Sequence, residues 1–208
     1  MPEEQRPYHH GNLVPTLIET TIQLIEEMGV EKVTVREVAK RAGVSPGAPF
    51  RHFKSKSALL TAVAEQAVER LYEAVTTAQD PALEHDPLGQ LERIGQGYLA
   101  WVRAHPTHFQ IVSDRKLIDF QSSEISTTLN TRVRLRMVEL LTRARDNGQL
   151  APDQDIETVV LNSRAVVYGL SRMYTDGHFR DWQSDGDPFA WMQRGLSAFI
   201  SGLRTKTT

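Results

Sequence analysis

The chain has 208 residues, of which 40% are hydrophobic and 24% charged, and its formal net charge is −2. This is the composition of a globular protein with room for one large domain or two small ones. The absence of cysteine excludes disulfides, zinc–thiolate sites and a cysteine nucleophile, and it favours a cytoplasmic location. No segment has the roughly 18–20 consecutive apolar residues of a membrane helix, and residues 1–12 lack the apolar core of a signal peptide. We therefore expect no membrane partner.

Apolar residues recur at helical spacing along nearly the whole chain, which predicts an all-α fold of about nine helices. The first helix is expected over residues 13–28, with its apolar side chains three and four positions apart and Gly29 at its end. Thr34 and Glu37 have the spacing of a capping box, in which the threonine hydroxyl accepts from the glutamate amide. A second, short helix is expected to start there.

A third short helix is predicted from Ser45, as its N-cap, to about residue 53. Pro49 lies inside it, so we expect a distorted or 3₁₀ first turn rather than a broken helix. Ser55 is expected to cap a long fourth helix. Residues 176–186 are polar and predict a loop. The remaining apolar patterns predict helices over residues 88–104, 106–113, 123–147, 155–175 and 187–204.

The second and third predicted helices form a helix-turn-helix pattern, joined by residues 42–45. Glycine at position 43 gives the backbone freedom that a tight turn needs. Between Lys32 and Lys56 there are seven lysines and arginines and a single acid, a local charge of +6 in a negative chain. A charge run alone is as often a solvated face as a nucleic-acid-binding surface. This one coincides with the motif that presents a helix to the DNA major groove.

Residues 9–60 closely resemble the N-terminal domain of the TetR family of transcriptional repressors. They open with HHGNL and continue from residue 33 as VTVREVAKRAGVSPGAPFRHFKSKSALL. The resemblance covers about a quarter of the chain, and the remainder resembles the family only in outline, as an all-helical ligand-binding and dimerisation domain. It implies a DNA-binding domain over residues 8–56 and a sensor domain over residues 57–208.

The resemblance also implies roles for individual residues of the motif. Thr34, His52 and Lys56 would hold DNA phosphates, Arg36 would reach a base edge, and Phe53 would pack the recognition helix onto the body. The family usually has tyrosine at the position of Phe50, which has no hydroxyl to donate to a phosphate. The DNA-contacting set implied in this way is Thr34, Arg36, Ser45, Pro46, Gly47, Ala48, Arg51, His52 and Lys56.

For the sensor half, the resemblance implies a homodimer that binds a palindromic operator and is released by an unidentified small molecule. The expected ligand pocket is lined by Trp101, His105, His108, Phe109, Val112, Phe120, Arg164, Tyr168 and Tyr174. Taken one by one, these residues fit a plain hydrophobic core better than a pocket, and only the resemblance favours a pocket. The expected dimer interface comprises Val159, Val166, Phe189, Met192, Leu196, Phe199, Ile200 and Leu203.

Two other patterns suggest chemistry. Residues 43–47, GVSPG, match the nucleophile elbow of serine hydrolases, but Pro46 has no N–H for an oxyanion hole and the preceding segment is helical. His105 and His108 have the spacing of two metal ligands, although a structural pair is favoured because no third ligand stands out. We therefore expect neither an enzyme nor a metal or cofactor site. The alternatives left open are a small helical enzyme or metal-binding protein, and a helical sensor that has lost DNA binding.

Overall fold

The computed structural model describes residues 13–182 and 185–205, so His9 and His10 of the family motif lie outside the described residues. In these two ranges the only β-pairing is an isolated bridge between Leu150 and Arg204, which confirms the all-α prediction. The nine α-helices there are α1 (Leu13–Met28), α2 (Val35–Arg41), α3 (Lys56–Thr77), α4 (Pro87–Ala104), α5 (Pro106–Ser113), α6 (Glu124–Asp146), α7 (Ile156–Thr175), α8 (Phe179–Trp182) and α9 (Pro188–Leu203).

Two of the predicted helix starts have the capping side chain expected for them. The Thr34 hydroxyl accepts from the Glu37 amide at 3.2 Å, and the Ser55 hydroxyl accepts from the Ala58 amide at 3.1 Å. These bonds satisfy amides that have no partner within the first helical turn. Gly29 follows α1 with φ of +84°, a conformation that side-chain-bearing residues rarely adopt. Local sequence therefore sets the bounds of these elements.

The prediction of a third α-helix from Ser45 to about residue 53 is wrong. The backbone there runs through turns into a 3₁₀ helix, Pro49–Arg51. The Ser45 carbonyl accepts from the Ala48 amide at 2.9 Å, and the Pro49 carbonyl accepts from the His52 amide at 3.0 Å. Because proline has no N–H and its ring crowds the carbonyl four residues earlier, Pro49 excludes the α-helical bond to Ser45. The 3₁₀ geometry expected for the first turn is thus found at Pro49–Arg51, and no α-helix follows it before α3.

Helix α8 was not predicted, because residues 176–186 are polar and the helix has only four residues. Phe179 is buried at its start and joins the core of the larger helical body. A segment this short cannot show helical periodicity in its sequence. None of the helices in the described part of the chain combines the length and apolarity needed to cross a membrane.

Two hydrophobic clusters divide the molecule, and helix α3 contributes to both. The head cluster packs α1, α2 and the first half of α3, and it includes Leu17, Val38, Phe53, Leu59 and Val63. The sensor cluster packs α4, α6, α7 and α9 against the second half of α3. The proposed boundary at residue 56 thus falls at the first residue of a helix that continues from one cluster into the other.

Helix α4 packs tightly against α3 at Gly97. A Cβ atom at this position would lie 2.6 Å from the Ala74 backbone carbonyl oxygen. We expect Gly97→Ala to lower the free energy of unfolding by about 1–3 kcal/mol, because a backbone atom cannot move aside as a side chain can. Gly95→Ala is the matched control, since its Cβ would meet only the flexible end of Leu196. Urea denaturation of both variants tests this, and equal losses would contradict it.

Candidate functional site: the basic surface and the central cavity

The residues of the helix-turn-helix motif form an exposed surface around the turn at Gly43, which has φ of +68°. Arg36 is exposed on α2, and Arg51 is exposed on the 3₁₀ helix. Thr34, Ser45, Pro46, Gly47 and His52 are also exposed on this surface. The structure thus leaves most of the predicted DNA-contacting set open to a ligand as large as a duplex.

Three apolar residues near this surface differ in how far they are exposed. Ala48 was expected to face DNA, but it is only 6% exposed, just before the 3₁₀ helix, and is not available for such a contact. Phe53 is buried in the head cluster, as predicted. Phe50 is 49% exposed and presents a bare aromatic ring. Sequence reasoning assigned Phe50 no contact, yet it is the largest apolar side chain on this surface.

The positive charges of the motif are not equally available. Both guanidinium nitrogens of Arg41 donate to the Glu27 carboxylate at 2.7 Å, and this pairing lowers the pKa of Glu27. Lys56, predicted to hold a phosphate, donates from Nζ to the Val30 carbonyl at 2.6 Å and to the Glu31 carbonyl at 3.2 Å. Its ammonium thus ties the start of α3 to the loop after α1.

A cavity of about 800 Å³ lies within the larger helical body, lined by α3, α4, α5, α6, α7, α9 and the loop after α5. Its volume lies in the range of natural small-molecule sites. Buried apolar side chains form most of its wall, among them Leu91, Ile94, Met137, Leu196 and Ile200. An enclosure of this kind favours a ligand with an apolar body.

Five of the nine residues proposed for the pocket line this cavity, namely Phe109, Val112, Phe120, Arg164 and Tyr168. The other four lie elsewhere. Trp101 and Tyr174 pack in or against the sensor cluster. His105 and His108 contact each other edge to face, at 5.4 Å between ring centroids.

Sequence reasoning missed Tyr98 and Arg115, both of which line the cavity. Burial raises the pKa of the Tyr98 phenol, and desolvation lowers the pKa of Arg115, with the positive charge of Arg164 adding to that decrease. Tyr98 lies one helical turn from Ile94 on α4, a signal that was available. Arg115 lies in an irregular loop, where no periodicity indicates the direction of a side chain.

His108 lies in a buried polar contact between α3 and α5. Its Nε2 atom is 3.3 Å from the Arg70 guanidinium, a donor, and 3.2 Å from the Gln66 side-chain oxygen Oε1, an acceptor. Arginine can only donate, so Nε2 accepts this bond only while it carries no proton. Burial first, and then the charge of Arg70, lower the pKa of His108 to about 4. Burial and the neighbouring positive charge therefore favour a neutral imidazole at neutral pH.

We expect the wild type to lose about 2 kcal/mol more stability than His108→Gln when the pH falls from 7 to 4.5. The folded-state pKa lies below the ordinary value of 6.5, so the unfolded chain takes up the proton first. The loss therefore begins below about pH 6.5 and is complete near pH 4. Glutamine keeps an acceptor for Arg70 but does not titrate. Urea denaturation at several pH values measures the difference, and parallel curves would contradict it.

Half of the predicted dimer interface is wrong, because its side chains are already buried within one chain. Val159, Met192, Leu196 and Ile200 are at most 2% exposed and belong to the sensor cluster. They have no surface left to offer to a partner. Val166, Phe189, Phe199 and Leu203 are only partly buried. The outer sides of α7 and α9 also expose Leu161, Ala165 and Ala198.

No group of three histidine, aspartate or glutamate side chains within residues 13–182 and 185–205 has the geometry of a metal site. The indole Nε1 of Trp101, which lies against His105, is buried and lacks a hydrogen-bond partner among these residues.

Comparison with known proteins yields two matching family models. "Bacterial regulatory proteins, tetR family" matches residues 17–63, and "Tetracyclin repressor-like, C-terminal domain" matches residues 91–199, more than half of the chain. The first match covers the motif around Gly43 and the second covers most of the cavity wall.

Among curated relatives, the HTH-type transcriptional regulator BetI of Serratia proteamaculans is 35% identical over 81 residues, which are 39% of this chain and 41% of BetI. The HTH-type transcriptional repressor KstR2 of Mycolicibacterium smegmatis is 24% identical over 163 residues, 77% of this chain and 78% of KstR2. A solved regulatory protein of the tetR family from Rhodococcus RHA1 superposes with a TM-score of 0.74 at 18% identity, covering 93% of this chain and 98% of that one. The chain belongs to the TetR family of transcriptional regulators, which bind DNA and are not enzymes.

Proposed function

We propose that this chain is a transcriptional repressor that binds a palindromic operator as a homodimer and is released by a small molecule in the central cavity. The observation that carries this proposal is that two residues belong both to the cavity wall and to the packing of the head cluster. Val112 and Phe120 line the cavity and also pack against the head cluster. A ligand that moves them therefore changes the contacts that hold the DNA-binding surface.

The bridging segment, residues 106–123, is also tied to the head by polar contacts. The Thr107 hydroxyl donates to the Glu26 carboxylate at 3.1 Å, which joins α5 to α1. The Ser57 hydroxyl donates to the Leu117 carbonyl at 3.3 Å, and the Asp119 amide donates to the Thr61 hydroxyl at 3.0 Å. These bonds favour movement of the segment together with α1 and the start of α3.

Five cations of the motif support DNA binding. Lys32, Arg36, Lys40, Arg51 and Lys54 are exposed, and they form no ion pair with any residue in the described part of the chain. Phosphate contacts by such side chains release counterions from DNA and supply affinity without sequence preference. Arg36 at the start of α2 and the exposed edge of residues 45–51 are proposed to add base contacts.

The outer sides of α7 and α9 are proposed to form the dimer interface. Leu161 is 67% exposed on α7, and Ala165 and Ala198 are exposed on the two helices. Small side chains let helices of two copies approach closely, and the partly exposed Val166 and Phe199 add apolar area. Pairing about a two-fold axis gives two copies of the basic surface, which a palindromic operator matches.

Release requires that the ligand bind one dimer conformation better than the other. A molecule with equal affinity for both conformations shifts nothing, however tightly it binds. We propose that ligand binding favours a spacing of the two heads that no longer fits successive major grooves. Such a regulator acts on chromosomal DNA, which agrees with the cytoplasmic location expected from the lack of cysteine.

In vitro transcription from the gene's own upstream region tests the repressor role. We expect the amount of transcript to fall as wild-type protein is added. The Arg36→Ala variant is the control for a DNA-dependent effect and should need a higher concentration. A transcript that rises with protein concentration would identify an activator. No change, together with no DNA binding, would favour the alternative of a sensor that has lost its operator.

A further inference from the structure

The wall of the cavity carries more positive than negative charge. Its charged side chains are those of Arg115, Arg134, Arg164 and Glu157. The Glu157 carboxylate pairs with Arg134, at 2.5 Å between nitrogen and oxygen. Arg115 and Arg164 have no carboxylate within ion-pair distance among residues 13–182 and 185–205. The cavity therefore holds two cations that these parts of the chain leave unbalanced.

Aromatic rings hold both of these guanidinium groups at the cavity wall. The Arg164 guanidinium carbon lies 4.9 Å from the centre of the Tyr98 ring, and that of Arg115 lies 3.4 Å from the centre of the Phe120 ring. Stacking on a ring face fixes the plane of a guanidinium while its N–H groups at the edge stay free to donate. The pair can therefore present several donors to one ligand group.

The position of the two arginines relative to the apolar wall defines the shape of a matching ligand. Arg115 and Arg164 are exposed, so they lie toward solvent, whereas Leu91, Phe109 and Leu196 are at most 3% exposed and form the interior. Two like charges at the edge of a low-dielectric space repel each other, and an anion between them removes that repulsion. Planar carboxylates and phosphates accept paired bonds from arginine.

We propose that the effector is an amphipathic organic anion, with an apolar body inside the cavity and a carboxylate or phosphate group bound by Arg115 and Arg164. This inference deepens the proposed function and rests on its assignment of the cavity as the effector site. The paired Arg134 takes no part in binding the anion.

Two matched sets of probes separate the charge of a ligand from its shape. Dodecanoate and dodecyl phosphate are compared with dodecanol and dodecylamine by calorimetry, below their aggregation concentrations. Anilinonaphthalene sulfonate is compared by fluorescence with N-phenyl-1-naphthylamine, the same rings without the anionic group. We expect each anion to bind about tenfold or more tightly than its neutral partner. Tighter binding of dodecanoate or of dodecyl phosphate identifies the preferred head group.

The variant Arg115→Gln with Arg164→Gln should remove the preference for anions and leave the affinity for the neutral probes unchanged. Arg134→Gln is the matched control and should keep the preference. Far-ultraviolet circular dichroism checks that each variant is folded. If the double variant is not folded, the preference for anions is measured on each single variant instead. Equal binding of anionic and neutral probes, an anion preference that survives the double variant, or no binding of any anion would overturn the inference.

Operator affinity is measured separately from probe affinity, so that the ligand class and ligand release can fail independently. Anion binding that depends on Arg115 and Arg164 but leaves operator affinity unchanged would support this ligand class and contradict ligand release. Release of DNA by a neutral probe, without any preference for anions, would support ligand release and contradict this ligand class.

Discussion

Replacing Arg36 with alanine is expected to weaken binding to the operator by about 1–3 kcal/mol and to relax specificity at one base pair. Arg36 is exposed at the start of α2 and has no ion-pair partner in the described part of the chain. Its guanidinium is therefore free to donate to a guanine edge. Fluorescence anisotropy with the operator and with single-base variants of it measures both effects.

Arg41→Ala is the control for this prediction, because it removes the same charge from the same short helix. The Arg41 guanidinium already donates two bonds to Glu27. Its loss should therefore change operator affinity much less and leave base preference unaltered. An equal loss of affinity for all sequences in Arg36→Ala would remove the base contact and leave only a phosphate contact. The loss of such a contact would lower the magnitude of the salt slope by about one unit.

Leu196→Glu is expected to prevent folding, whereas Ala198→Glu should give folded monomers. Leu196 is 2% exposed and packs in the sensor cluster, so a charge there would be buried without a partner. Such substitutions cost more than about 4 kcal/mol. Ala198 lies on the opposite, exposed side of α9, where a carboxylate stays hydrated in a single chain. In a dimer it would meet its symmetry mate.

Thermal melts and light scattering after size exclusion distinguish the two outcomes. The monomeric Ala198→Glu variant should also lose most of its operator affinity, because a single head contacts only half of a palindrome. A dimer that survives in Ala198→Glu would place the interface on another surface. A folded, dimeric Leu196→Glu protein would contradict the packing of α9 described above.

Periodicity and capping side chains predicted most helices of this fold. α1 begins and ends where its apolar pattern does, and the bonds accepted by Thr34 and Ser55 start α2 and α3. These signals are local, so they can be read from the sequence. The segment after Ser45 was less predictable, because its path depends on how two prolines compete with helix formation.

The functional surfaces depend on tertiary packing and were predicted less well. An apolar stripe such as Met192, Leu196 and Ile200 was assigned to a partner chain, but it packs against α4 in its own chain. Periodicity identifies an apolar face and does not say what covers it. Arg164 and Tyr168, which the family resemblance implied, lie one turn apart on α7 and both line the cavity, whereas Arg115 reaches it from a loop.

Hydroxyl-radical footprinting of the dimer on its own upstream DNA tests the central claim most directly. We predict two protected half-sites related by a two-fold axis, with centres about one duplex turn or a multiple of it apart. Protection should weaken steeply with salt, since exposed lysines and arginines contact the phosphates. A single protected half-site, or uniform weak protection without a preferred position, would contradict a dimeric repressor that reads a palindromic operator.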